Sequence, residues 1–430
     1  VSANRCVGRR SLVDSQSSGL LKTLRRPCLL NIVPLSHSVT NAGKNDIYEA
    51  EVQTVNDRLL ATNHRPAGFD YLRIFLSLSI VAFHSVVTSY GFEAEHWFWG
   101  GPIRPLIFVL VPSFFALSGF LVAGSLERND LPCFLTLRVL RIFPALVVEV
   151  ALSGLIIGPL LTTWSLHDYF NNRKFFSYFG NLFGWIHYYL PGVFLTNPAP
   201  GLVNLQLWTV PYELECYVAI SIVAWIGLYA RSRLLLSAIV VVSLTVAAYQ
   251  CLSGNMTPLY YRPPGRMIVL CFLAGVALYG MRKQIPLNGS VFAAAVALAW
   301  LFMSYRGTTY LAALPVAYVT VFVGLQNPRR LSLLRSADYS YGLYLYGFPV
   351  QQTVSYLFPN QRMWWFNLTM ALAIAGSFAL MSWHIIESRV LSQRKAVLQF
   401  VTATTMRFRR RGEAADVDDV TQASSSGQTG

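Results

Sequence analysis

The chain has 430 residues, of which 54% are hydrophobic and only 13% charged, and its formal net charge is +14. A soluble domain of average composition carries about a quarter charged residues, so this composition excludes an ordinary water-soluble globular fold. Apolar runs of about 20 residues, the length that crosses hydrocarbon as a helix, indicate instead an all-α fold, a polytopic integral membrane protein with about ten transmembrane helices. The short alternating segments of a transmembrane β-barrel are not visible.

Residues 1–66 form a basic, polar cytoplasmic leader without a run of spanning length, read as disordered or as an over-called start. The predicted spans follow at 70–90, 103–124, 142–163, 207–229, 234–252, 265–281, 287–305, 309–326, 336–356 and 364–387. They make a membrane domain over 67–392. The tail, 393–430, is first basic and then acidic and Ser-rich, a composition expected to stay disordered.

Basic residues test this map, because cytoplasmic connections should be rich in Lys and Arg. Arg128, Arg138 and Arg141 follow the second span, Arg231 and Arg233 the fourth, and Arg282 and Lys283 the sixth. The opposite connections hold only Arg104, Arg173, Lys174, Arg262, Arg266, Arg306 and Arg362 of the 34 basic residues. The positive charge is therefore mostly topology, with both termini cytoplasmic and the chain in the inner membrane; no nucleic-acid partner is needed to explain it. Six cysteines show no CxxC and no plausible external pair, so neither a disulfide nor a structural metal is expected.

The first span, "FDYLRIFLSLSIVAFHS", carries Arg73 near its start and His84 eleven positions later. Eleven helical steps leave a residual turn of about 20°, which puts both on one face, about 16 Å apart along the axis. An Arg near a helix end can snorkel to headgroups, whereas an ionisable group deeper in a span is rare and usually functional. In "FFALSGFLVAG" the Ser118–Gly119 pair suits close helix packing and the lining of a pocket. "LRVLRIFP" places Arg138 and Arg141 three residues apart at the inner end of the third span. That arrangement serves positive-inside topology, and it also suits a polyphosphate, since each guanidinium offers a fixed fork of donors.

The long connection 164–206 is rich in Tyr, Trp and Asn, fitting either a sugar-binding surface or aromatic anchors at the membrane interface. "QLWTVPYELECYVAI" then sets Glu213 and Glu215 at the outward mouth of the fourth span, where a carboxylate can orient an imidazole or accept a proton. "SADYSYGLYLYGFPVQQ" opens the ninth span. "SWHIIE" puts His384 and Glu387 at i, i+3 near the end of the tenth, where a structural pairing is the better reading.

Taken together these motifs, in this order, resemble the membrane acyltransferases of family 3, bacterial proteins that O-acylate cell-surface and secreted saccharides. The resemblance covers roughly 67–392. It implies an acyl-CoA donor (acetyl-CoA, or a similar short acyl-CoA) entering from the cytoplasm and a saccharide or lipid-linked saccharide acceptor such as O-antigen, exopolysaccharide or a lipo-chitooligosaccharide. It also implies His84 as the residue essential for transfer, Glu213 as its acidic companion, and Arg73, Arg138 and Arg141 at the donor. In one departure, many relatives read "LYLWHFP" where this chain has "LYLYGFP", so Gly347 stands in place of their His. A saccharide transporter or flippase without acyl-transfer chemistry is the alternative, but no half-to-half repeat or paired broken helices of the kind many transporters show is visible.

Overall fold

The computed structural model describes residues 53–254, 262–331 and 339–406, all within one compact unit, Glu51–Gly430; the predicted leader up to residue 52 and the tail beyond 406 lie outside the described residues. Ten main helices meet the ten predicted spans: α1 Gly68–Tyr90, α2 Leu110–Leu126, α3 Leu131–Leu152, α4 Val210–Trp225, α5 Ser232–Ser253, α6 Gly265–Gly280, α7 Gly289–Ser304, α8 Ala313–Gly324, α9 Ser340–Leu357 and α10 Trp364–Ser382. Among the described residues, seven helices, counted with their short extensions, are long and apolar enough to cross a membrane. Helices α6 and α7 are apolar but shorter, and α9 is interrupted by buried Ser and Gln. The fold is all-α and polytopic.

Three boundaries differ from the sequence reading, each for a physical reason. Helix α3 starts at Leu131 rather than 142. Asp130 sits extended before it and Pro132 occupies its first turn, where the missing N–H costs nothing. Pro144, which looks like a boundary, lies inside the helix, as prolines are tolerated in transmembrane helices. Arg138 and Arg141 therefore sit two and three turns into a helix instead of in the connection before it.

At the N-terminal side, Val55–Ala61 is a helix with a capping box from Thr54 and Asp57. Val55 and Leu59 are buried, and the Val55 amide donates to the Ile285 carbonyl, so the folded part begins before residue 67. At the far end α10 passes through a π-helical turn, Trp383–Glu387, and residues 394–406 are helical where the tail was expected to be disordered.

Small residues bring the central helices together. A Cβ at Gly119 on α2 would run into the Phe272 carbonyl on α6, and one at Gly275 into the Ala116 carbonyl. With no hydrophobic drive between helices in lipid, such close backbone packing is what joins them. The connection between α3 and α4 is partly folded into the bundle and partly exposed. Two short helices, Leu166–Asn171 and Arg173–Tyr178, open it, and its second half, including Val193, Phe194, Ala199, Val203 and Asn204, is buried in the bundle. Trp164, Phe176, Phe183 and Trp185 stay exposed.

Candidate active site

Helices α1, α2, α3, α4, α6 and α9 surround a cavity of about 170 Å³. Arg73, Arg138, Arg141 and Glu213 all line it, as do Ser118, Thr209 and Tyr344. The structure thus gathers four of the five predicted site residues, from three helices far apart in sequence, around one space. Gly119 packs the helix whose Ser118 faces that space, so packing and lining fall to adjacent residues.

Each guanidinium is held differently. Arg138 donates to Ser125 Oγ at 3.1 Å and lies over the Phe134 ring at 5.6 Å, while its Nε is buried without a partner. Arg141 stands over the Tyr341 ring at 5.7 Å and pairs with Glu387 at 3.8 Å. Glu387 is 3% exposed and also accepts from Ser382 Oγ at 3.1 Å. Arg73 pairs with Asp70 at 3.8 Å, and Asp70 pairs with Arg330 at 3.4 Å. Arg stems buried along apolar surface with heads turned to a cavity are a low-cost way to keep cations at membrane depth.

Glu213 belongs to this basic cluster. Its carboxylate accepts from Tyr217 OH at 2.9 Å, and Tyr217 lines the same cavity. No hydrogen bond or ion pair joins Glu213 to His84 among the described residues, so the companionship expected from sequence has no contact to act through. The sequence reading set Glu213 at the outward mouth of a span opening at 207; in the structure that helix opens with a 3₁₀ turn, Leu205–Thr209, and Glu213 lines the cavity of the arginines. Glu215 points elsewhere and pairs with Arg266.

His84 lies on the same stripe of α1 as Arg73 but does not line the cavity. Its ring meets Phe348 of α9 edge-on, with centroids 5.2 Å apart, and Phe83 stands beside it. Phe348 is in turn packed with Val87, Ala199 and Leu202, so the imidazole sits under the buried half of the α3–α4 connection. Gly347 explains the tight approach. A Cβ there would come within 2.9 Å of Val81 Cγ2 on α1, which leaves no room for a larger residue unless Val81 moves.

On either side of His84 along α1, neutral amides and hydroxyls of the neighbouring helices reach the Val81 carbonyl, the Thr88 carbonyl and the Thr88 hydroxyl. Gln352 Nε2 donates to the Ala199 and Leu202 carbonyls at 2.7 Å each, and Asn197 Nδ2 donates back to Gln352 at 2.8 and 2.9 Å. Gln351 Nε2 donates to the Val81 carbonyl at 2.7 Å. Asn367 of α10 donates to the Gln351 carbonyl and to Ser355 Oγ, each at 2.9 Å. Sequence reasoning assigned these residues no part, although two glutamines in an apolar run were the available signal.

A second unanticipated cluster lies around Glu149. It is fully buried on α3, and its Oε1 accepts from Ser153 Oγ at 2.9 Å and Asn204 Nδ2 at 2.5 Å. Its signal was one carboxylate within "PALVVEVALSG". No group of His, Cys, Asp and Glu able to hold a metal occurs among the described residues.

Residues 67–382 match a family model described as an acyltransferase domain. The chain is similar to an O-acetyl transferase of Shigella phage Sf6, with 27% identity over 357 residues that cover 77% of this chain and 97% of that protein. It is also similar to nodulation protein 10 of Rhizobium leguminosarum bv. viciae, with 25% identity over 371 residues covering 79% and 96% of the two chains. No solved structure matches the chain.

Proposed function

The chain belongs to the acyltransferase-domain family, and we propose that it is an integral membrane O-acyltransferase that moves an acetyl or similar short acyl group from acyl-CoA to a saccharide hydroxyl. The observation that carries the donor is the cavity shared by Arg73, Arg138 and Arg141, with the Arg138 Nε buried and lacking a partner. Guanidiniums so placed fit phosphate oxygens through paired donors. In this reading the cavity of about 170 Å³ receives the arm and the nucleotide stays at its basic mouth, on the cytoplasmic side if the basic connections follow the positive-inside pattern. Glu213, hydrogen-bonded to Tyr217, moderates the positive field there and keeps the arginines from repelling one another.

His84 is assigned the transfer. Its imidazole accepts the proton of the acceptor hydroxyl as the oxygen attacks the thioester carbon. The C–O bond forms, the C–S bond breaks, and the electron pair leaves on sulfur. The imidazolium then returns the proton to that sulfur, giving the free thiol of CoA. An acetyl-imidazole intermediate uses the same residue as nucleophile instead.

Transfer to a hydroxyl is supported by the name of one relative, an O-acetyl transferase; a saccharide, free or lipid-linked, is the acceptor class that the resemblance implies. The test is mass spectrometry of surface and secreted saccharides from cells with and without this gene. The expected difference is the mass of one acetyl group per modified sugar; identical saccharides would contradict the acceptor class.

A further inference from the structure

We propose that Tyr344 is the gate between the basic cavity and His84, and that its ring sets the size of acyl group that reaches the imidazole. The proposal rests on the acyltransferase reading above and deepens it. Arg73, Ile80 and His84 fall on one stripe of α1, within about 40° of one another. Arg73 and Ile80 line the cavity, and His84 does not. The imidazole stands one turn, about 6 Å, beyond Ile80.

Helix α9 repeats the pattern. Tyr344 lines the cavity, while Phe348, four residues on, already meets the imidazole edge-on. Two helices thus stop lining the space at the same level, and the Tyr344 side chain occupies that level. Its hydroxyl lies 2.9 Å from Thr209 Oγ1 and donates to the Gln206 carbonyl at 2.8 Å. Gln206 is itself anchored to α9 through the Leu345 carbonyl at 2.6 Å. Phe114, another lining residue, flanks the ring with centroids 6.3 Å apart.

The arrangement joins the 3₁₀ turn Leu205–Thr209 to α9 across the end of the cavity, by neutral hydrogen bonds at one phenol. Bonds of this kind are individually weak in net terms, so a thioester arm seated on the arginines can displace the ring. What passes is bounded by Ile80, Phe114, Thr209 and the displaced ring, a wall that favours a short acyl group. A hydrophobic wall discriminates against each extra methylene by about tenfold or more.

The test compares acetyl-CoA and butyryl-CoA as donors for the purified full-length protein and its variants. In Tyr344→Ala the butyryl-to-acetyl ratio of kcat/KM should rise about tenfold or more, with KM for acetyl-CoA essentially unchanged because the anion-holding arginines are untouched. Thr209→Val keeps the ring and removes part of its clamp, so acetyl-CoA hydrolysis without acceptor should rise at constant KM. A Tyr344→Ala protein that transfers acetyl with the wild-type chain-length profile overturns the gate. Should that variant fail to fold, unchanged hydrolysis in Thr209→Val overturns it instead, and increased hydrolysis supports it. A wild-type protein that consumes no acyl-CoA overturns both this proposal and the acyltransferase reading, whereas a wild type that transfers acetyl while the variants match it overturns the gate alone.

Discussion

The half of the bundle around the cavity and the half around His84 handle polar groups in hydrocarbon in opposite ways. The first keeps charges: three arginines, Glu213 and Glu387, with the cation heads facing a space. The second keeps none at the centre, and instead closes Gln351, Gln352, Asn197 and Asn367 on backbone carbonyls and one another. A charge at membrane depth is tolerable where a cavity, a counter-charge or a ligand compensates it, while a buried amide is tolerable where its N–H groups find carbonyls. On the proposed reading, the first half receives something charged and the second frames the His84 imidazole. In the proposed gate, one hydrogen-bonded phenol stands between them.

Substitutions in each half should therefore fail differently. The largest expected effect is at the imidazole: His84→Ala should lower acyl transfer by about two to four orders of magnitude while the protein still inserts, as membrane fractionation and thermal melting would check. Retained turnover would remove His84 from the chemistry. Next come the arginines. Arg138→Ala combined with Arg141→Ala should raise the donor KM on the order of a hundredfold, since each charge-assisted hydrogen bond is worth about 1.5–3 kcal/mol. Initial rates against acyl-CoA concentration measure this, and an unchanged KM takes the pair out of the donor site. The smallest effect belongs to the neutral frame. Gln352→Ala leaves two buried carbonyls without their donor and should destabilise the protein by about 1–3 kcal/mol, visible in thermal unfolding, with donor KM unmoved. A donor KM that rose with it would erase the distinction between the halves.

Much of this was legible in the sequence, because hydropathy and the face-sharing of a helix are local properties. The ten apolar segments, the common face of Arg73 and His84, and the pairing of Arg138 with Arg141 all follow from spacing within single helices. What was not legible depended on contacts between helices. Pro132, Arg138 and Pro144 read as a connection because soluble-helix rules treat them as breakers and charges, yet all three lie within α3. The resemblance implied Glu213 as a companion to His84. Only the packing of α4 against its neighbours places it with the arginines. The polar frame of Gln351, Gln352 and Asn367 was hidden for the same reason, since a glutamine's role depends on which carbonyl it reaches.

The most direct test of the account is acyl transfer in oriented membrane vesicles, with labelled acetyl-CoA supplied to one face at a time. Label should reach acceptor only when the donor is on the face carrying the arginine-rich connections, and His84→Ala should abolish that transfer. Equal transfer from either face, or transfer that survives loss of the imidazole, would contradict it.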